Sequence, residues 1–137
     1  MLRSILLLAV TSLTLSAQTP ASTGTIIIAH GGDSSWNAGV REIAALVQTG
    51  GPVEVSFLMG QGAATARFQD AVAKLDAKGV SRIVVVPLLV SSHSGHYQQI
   101  RYLAGQDVTL GESMQHHLHM AGIDRAASRT PILLTPA

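Results

Sequence analysis

The chain has 137 residues, of which 47% are hydrophobic and 12% charged, with a formal net charge of +1. That size predicts one domain, and so few basic residues exclude the concentrated Lys/Arg surface that nucleic acid requires. Cysteine is absent, which removes disulfides, thiolate metal sites and a cysteine nucleophile, and leaves imidazole, carboxylate, thioether or backbone oxygen as metal donors.

Met1-Leu2-Arg3, the apolar stretch Ile5 to Leu15 and the small residues Ser16-Ala17 read as an export signal over residues 1–17. A spanning helix needs about 20 apolar residues, so no stable membrane span is expected after cleavage. The expected location is outside the cytoplasm, compatible with a bacterial periplasm; an uncleaved amino-terminal membrane anchor is the alternative. Residues 18–23 read as a Pro/Ser/Thr linker, which leaves 24–137 as a single α/β domain.

Within that domain, Thr25 to Ala29 is a short apolar strand followed at once by His30-Gly31-Gly32. Asp33, Ser34 and Ser35 are cap candidates for a helix from Trp36 to Val47. Trp36, Val40, Ile43, Ala44 and Val47 keep its helical spacing, and Gly50-Gly51-Pro52 ends it. Val53 to Leu58 alternates and predicts the second strand, and Gly60-Gln61-Gly62 a loop. A second helix is predicted from Ala63 to Lys78, with Phe68, Val72 and Leu75 inward. The branched run from Ile83 to Val90 predicts a third strand, buried on both faces. Ser91-Ser92-His93-Ser94-Gly95-His96 then leads into a third helix from His96 to Leu103. A further helix is predicted over Glu112 to Met120 and a fourth strand within Thr130 to Ala137. No helix follows to cover that strand, so a partner chain or a longer protein would supply the cover. Strands alternating with helices predict a parallel sheet of βαβ units.

Ligands bind beyond the carboxyl ends of such strands, and there the sequence puts His30 and, after the third strand, His93 and His96. Gly31 and Gly32 would let backbone approach a bulky ligand and leave the His30 ring unshielded. A neutral imidazole suits divalent cobalt, iron or nickel and also serves as a base. His93 and His96 would share a face if the helix began at His93; Gly95 marks a bend or a close approach. His116, His117 and His119, with Glu112 the near carboxylate, read as an exposed cluster without a defined site. Met59 and Met114 read as loop or packing residues. HGG lacks a G-x-S-x-G elbow to make it a hydrolase, and no Walker or G-x-G-x-x-G sequence supports nucleotide binding.

A strand ending in HG, a WN helix start, VEVSFL, RIVVVPLLVS and a GH loop together resemble the class II tetrapyrrole chelatases. The nearest branch is the CbiX/SirB family of sirohydrochlorin cobaltochelatases and ferrochelatases, and the resemblance runs from Thr25 to about Leu103, with a looser match at TPILLTPA. It implies a flavodoxin-like three-layer αβα fold, here of about four strands, whose carboxyl-terminal end the uncovered last strand makes look incomplete. It implies insertion of a divalent metal (cobalt, iron or nickel, as substrate) into sirohydrochlorin or a related tetrapyrrole, with no organic cofactor. By position the metal ligands would be His30 and His96, with His93 as the alternate. Substrate contact would fall to Gly31, Gly32, Ser92, Gly95, Gln98 and Arg101, with Gln99 beside them as an amide donor. Gly32 and Asp33 stand where the family commonly has Ser and Arg, and Met59 where an acid often follows the second strand. The resemblance implies a homodimer or one half of a longer chain. The alternative function is an exported, non-catalytic carrier of metal or tetrapyrrole on the same histidines.

Overall fold

The computed structural model describes residues 22–106 and 108–137. The expected export signal, and the linker as far as residue 21, lie outside the described residues. No described helix is long and apolar enough to cross a membrane.

Four strands form one parallel sheet: β1 (Thr23–Ala29), β2 (Val53–Phe57), β3 (Arg82–Leu88) and β4 (Ile132–Leu134). Their order is β2-β1-β3-β4, the first four places of the flavodoxin-type winding. β1 starts at Thr23, inside the expected linker. Ala29 is level with both Phe57 and Leu88, so the first three strands end at one rim. Whatever follows Ala29 and Leu88 emerges side by side.

Helices cover the two faces unequally. On one face α3 (Phe68–Ala77), α4 (Gly95–Leu103) and α5 (Glu112–Met120) bury Phe68, Leu75, Ile100, Leu103 and Leu118 against Ile26, Ile28, Ile83 and Val85. On the other, α1 (Ser34–Leu46) brings Val40 to Ala29 and Phe57. Burying a side chain of this size stabilises by about 1.5–3 kcal/mol, so the first face carries most of the core.

That imbalance corrects the expectation for β3. Ile83, Val85 and Pro87 are buried, but Val84 and Val86 are half-buried, Leu88 is exposed, and Val90 lies beyond the strand in solvent. α1 packs chiefly over β2, which leaves that face of β3 half-covered; Leu133 on β4 is likewise 52% exposed. The inner face of α1 is narrower than its apolar spacing implied. Asn37, Val40 and Ala44 are buried, whereas Ile43 is 62% exposed and Trp36 and Val47 are also exposed.

The predicted helix from Ala63 to Lys78 is two helices, α2 (Gly60–Thr65) and α3, with Gly60-Gln61-Gly62 forming the first turn of α2 rather than a loop. The break has a tertiary cause. Ala66 leaves helical geometry (φ −145°, ψ 67°), and its carbonyl accepts a 3.0 Å hydrogen bond from the Phe57 amide at the end of β2. Gly62 is buried against the Phe57 ring, where a Cβ would stand 2.7 Å from the ring and 3.1 Å from Asn37 Nδ2. The close approach of α2 to β2 therefore requires glycine there.

Candidate functional site

The β1 rim is built by backbone. Leu58 N–H donates to Ala29 O and Met59 N–H to His30 O, both at 3.0 Å, which extends the β1–β2 ladder past the end of the strand. Gly31 then turns with φ +98°, and a Cβ on it would collide with the Met59 carbonyl oxygen. The glycine thus serves a close approach of the protein to itself, not the approach to a ligand that the sequence predicted. Gly32 lies on the Trp36 side chain, 3.3 Å from where its Cβ would be. The buried amide of Asn37 holds Gly32 from both sides: its Oδ1 accepts from Gly32 N–H and its Nδ2 donates to Gly32 O, each at 3.0 Å.

Asp33 caps α1 by accepting from the Trp36 amide and the Ser35 hydroxyl, both at 2.8 Å. The Trp36 amide first and the Ser35 hydroxyl second hold its carboxyl below the usual carboxylate range. His30 Nδ1 lies 2.8 Å from Gly31 O. A carbonyl only accepts, so Nδ1 carries the hydrogen, and in a neutral ring the lone pair is then on Nε2.

The β3 rim is built by side chains. Ser91 accepts from the His93 amide and its carbonyl accepts from Ser94, closing a turn. Ser94 then caps α4 through a 3.1 Å bond from Tyr97 N–H to its Oγ. α4 therefore starts at Gly95. His93 sits on the exposed turn before it and does not share a helix face with His96. Gly95 keeps an ordinary φ, and its close neighbour is the Met114 side chain.

The two rims meet at the histidines. His30 and His96 stack edge to face, with ring centroids 4.5 Å apart and planes at 77°. Both are half-buried. An imidazole nitrogen binds a divalent metal at about 2.0–2.1 Å, so rings this close can share one ion. Among the described residues no group of three or more His, Asp or Glu side chains converges as a metal cage. The His116, His117 and His119 patch is exposed on α5. Beside it is a hollow of about 490 Å³ lined by Tyr102, Glu112, His116, His119 and Asp124, away from the histidine pair.

The other expected contacts are dispersed. At about 100° per residue around α4, Gln98 lies about 200° and Arg101 about 140° from His96. Arg101 donates to Gln98 Oε1 and Gln106 Oε1 at 3.1 and 2.7 Å. Ser92 Oγ accepts from Ala137 N–H at 2.8 Å. Gln99 is no rim donor: it is buried, with Oε1 2.9 Å from His96 Nδ1 and Nε2 donating to Met114 O at 2.9 Å. Pattern reading missed Asn37 and gave Gln99 another role, that of a rim donor instead of the buried partner of His96. Their signal was an amide on an otherwise apolar helix stripe, next to Val40 and Ala44 in one case and Ile100 and Leu103 in the other.

Fold and rim together define a parallel α/β domain that presents two imidazoles beyond the carboxyl ends of neighbouring strands. The chain belongs to the CbiX family, whose family model matches residues 24–131. It is also similar to the crystal structure of a candidate cobalamin (vitamin B12) biosynthesis CbiX protein from Marinobacter aquaeolei VT8. That likeness has a TM-score of 0.53 at 16% identity and covers 82% of this chain and 79% of that one. At such identity it speaks for the fold. No curated protein matches the chain significantly.

Proposed function

We propose that this protein inserts a divalent metal (cobalt, iron or nickel) into sirohydrochlorin or a closely related tetrapyrrole. Membership of the CbiX family supports a tetrapyrrole metal chelatase of cobalamin biosynthesis. The observation that carries the finer reading is the His30–His96 pair, 4.5 Å apart on the open rim. Insertion replaces two pyrrole N–H protons by one metal ion bound to four ring nitrogens. A metal held by only two imidazoles keeps its other coordination positions for those nitrogens, and it can leave once they bind. As the ion passes to the ring, a released imidazole is free to accept a pyrrole proton. Both rings are half-buried, so each keeps an exposed part toward a flat substrate laid across the strand ends.

The test is an absorbance time course of sirohydrochlorin with excess cobalt, iron or nickel. It compares the wild type, His30→Ala, His96→Ala, His93→Ala and a protein-free control. The reading requires repeated turnover by the wild type and by His93→Ala, and the protein-free rate for the other two. A spectral change that saturates at one equivalent would instead make the protein a carrier. The export expected for residues 1–17 would suit that outcome.

A further inference from the structure

We infer that Gln99 is the positioning residue of the second histidine: it fixes the His96 tautomer that leaves Nε2 free to bind metal, and it anchors that ring to α5. The inference rests on the metal-binding reading of His96, but its geometry stands independently.

Gln99 is 1% exposed, so its amide must find partners inside the protein. One is the Met114 carbonyl on α5, 2.9 Å from Nε2. A carbonyl can only accept, so the NH2 end of the amide faces Met114 and the oxygen end faces His96. The reverse orientation would set two acceptor oxygens against each other in the core. Gln99 Oε1, 2.9 Å from His96 Nδ1, therefore requires a hydrogen on Nδ1. In a neutral ring that leaves the lone pair on Nε2. His30 reaches the same state through the Gly31 carbonyl. Two unrelated partners, one backbone and one side chain, thus prepare both rings as Nδ1–H donors with matching free nitrogens. Metal-binding imidazoles are held this way by acceptors behind them, and losing such a partner costs about 10–100-fold in affinity or activity.

The arrangement also makes α5 part of the site. Met114 contributes its carbonyl to Gln99, and its Sδ lies 3.2 Å from where a Cβ on Gly95 would stand. α5 thus supports the first turn of α4 at the point where His96 is displayed.

The test is long-range proton–nitrogen NMR of the metal-free protein with labelled histidine, at pH about 8.5, above the ordinary imidazole range. Wild-type His96 is expected to show a protonated Nδ1 and an unprotonated Nε2. Gln99→Leu, which keeps the bulk and loses the acceptor, is expected to shift His96 toward the Nε2–H form while His30 is unchanged. Gln99→Glu keeps an acceptor oxygen toward His96 while giving up the N–H donor to Met114, so it separates the two contacts and is expected to restore the Nδ1–H form. A Co²⁺ titration should then show at least tenfold weaker binding by Gln99→Leu than by Gln99→Glu. An Nε2–H signal in wild-type His96, or an unchanged tautomer in Gln99→Leu, overturns the inference. If Gln99→Leu does not fold, the wild-type spectrum and Gln99→Glu still decide it. Should the wild type bind no cobalt while the NMR results hold, the metal reading fails and the positioning role survives.

Discussion

The two histidines meet beyond the carboxyl ends of neighbouring parallel strands, His30 directly after β1 and His96 in the first turn of α4, and the protein holds them by different means. The His30 rim is rigid through its main chain: two ladder bonds to β2, one left-handed glycine and an amide that grips Gly32 at both ends. The His96 rim hangs on side chains that reach distant elements. Gln99 bonds to Met114, Tyr97 to Thr135, and Ser92 to Ala137. A main-chain mount is set by local sequence and resists drift. A side-chain mount depends on the packing of the whole second half of the chain, and it is the half more easily disturbed.

The largest contrast should come from Gly31→Ala. It places a side chain at φ +98° against the Met59 carbonyl, and should cost about 2–4 kcal/mol in urea unfolding. If the loss were only a few tenths, the main-chain mount would be softer than described. Asn37→Ala should cost about 1–3 kcal/mol by removing two hydrogen bonds to Gly32. It should disturb the NMR signals of His30 and leave the tautomer of His96 as it was. An equal disturbance of both rings would erase the distinction between the rims. Tyr97→Phe removes the 3.1 Å bond to Thr135 O and should cost about 1 kcal/mol, with faster amide exchange confined to α4 and β4.

The smallest effect concerns the exposed cap Asp33. Its carboxyl titrates lower when folded, held by the Trp36 amide and then Ser35. Its stabilising contribution is therefore complete above the unfolded carboxylate range and lost as pH falls through the folded value. Asp33→Ala should lower the thermal midpoint slightly near neutrality, and the difference from wild type should vanish in acid. A difference that grew in acid would contradict the sign.

The same contrast explains what could be read from the sequence. The branched runs of β1 and β3 and the alternation of β2 are local; the parallel sheet follows from their order and the helices between them. The break between α2 and α3 could not be read, because the Ala66 carbonyl is diverted by Phe57, nine residues away along the chain. The half-bare face of β3 escaped for a similar reason, since only the placement of α1 over β2 determines it. On the rim, His30 was legible from its position after a strand. That His93 and His96 do not share a helix face turned on Ser94, whose hydroxyl starts the helix. Gln98 and Arg101 were placed by chain distance alone, and helical rotation carries them away from His96.

The central claim is that His30 and His96 act on one metal ion. Co²⁺ affinity should be measured by optical titration for the wild type, His30→Ala, His96→Ala and the double variant. A shared ion predicts that either single change costs at least about tenfold, and that the double costs little more than either alone, because the first loss already dismantles the site. Independent, additive losses would contradict it, as would wild-type affinity in either single variant.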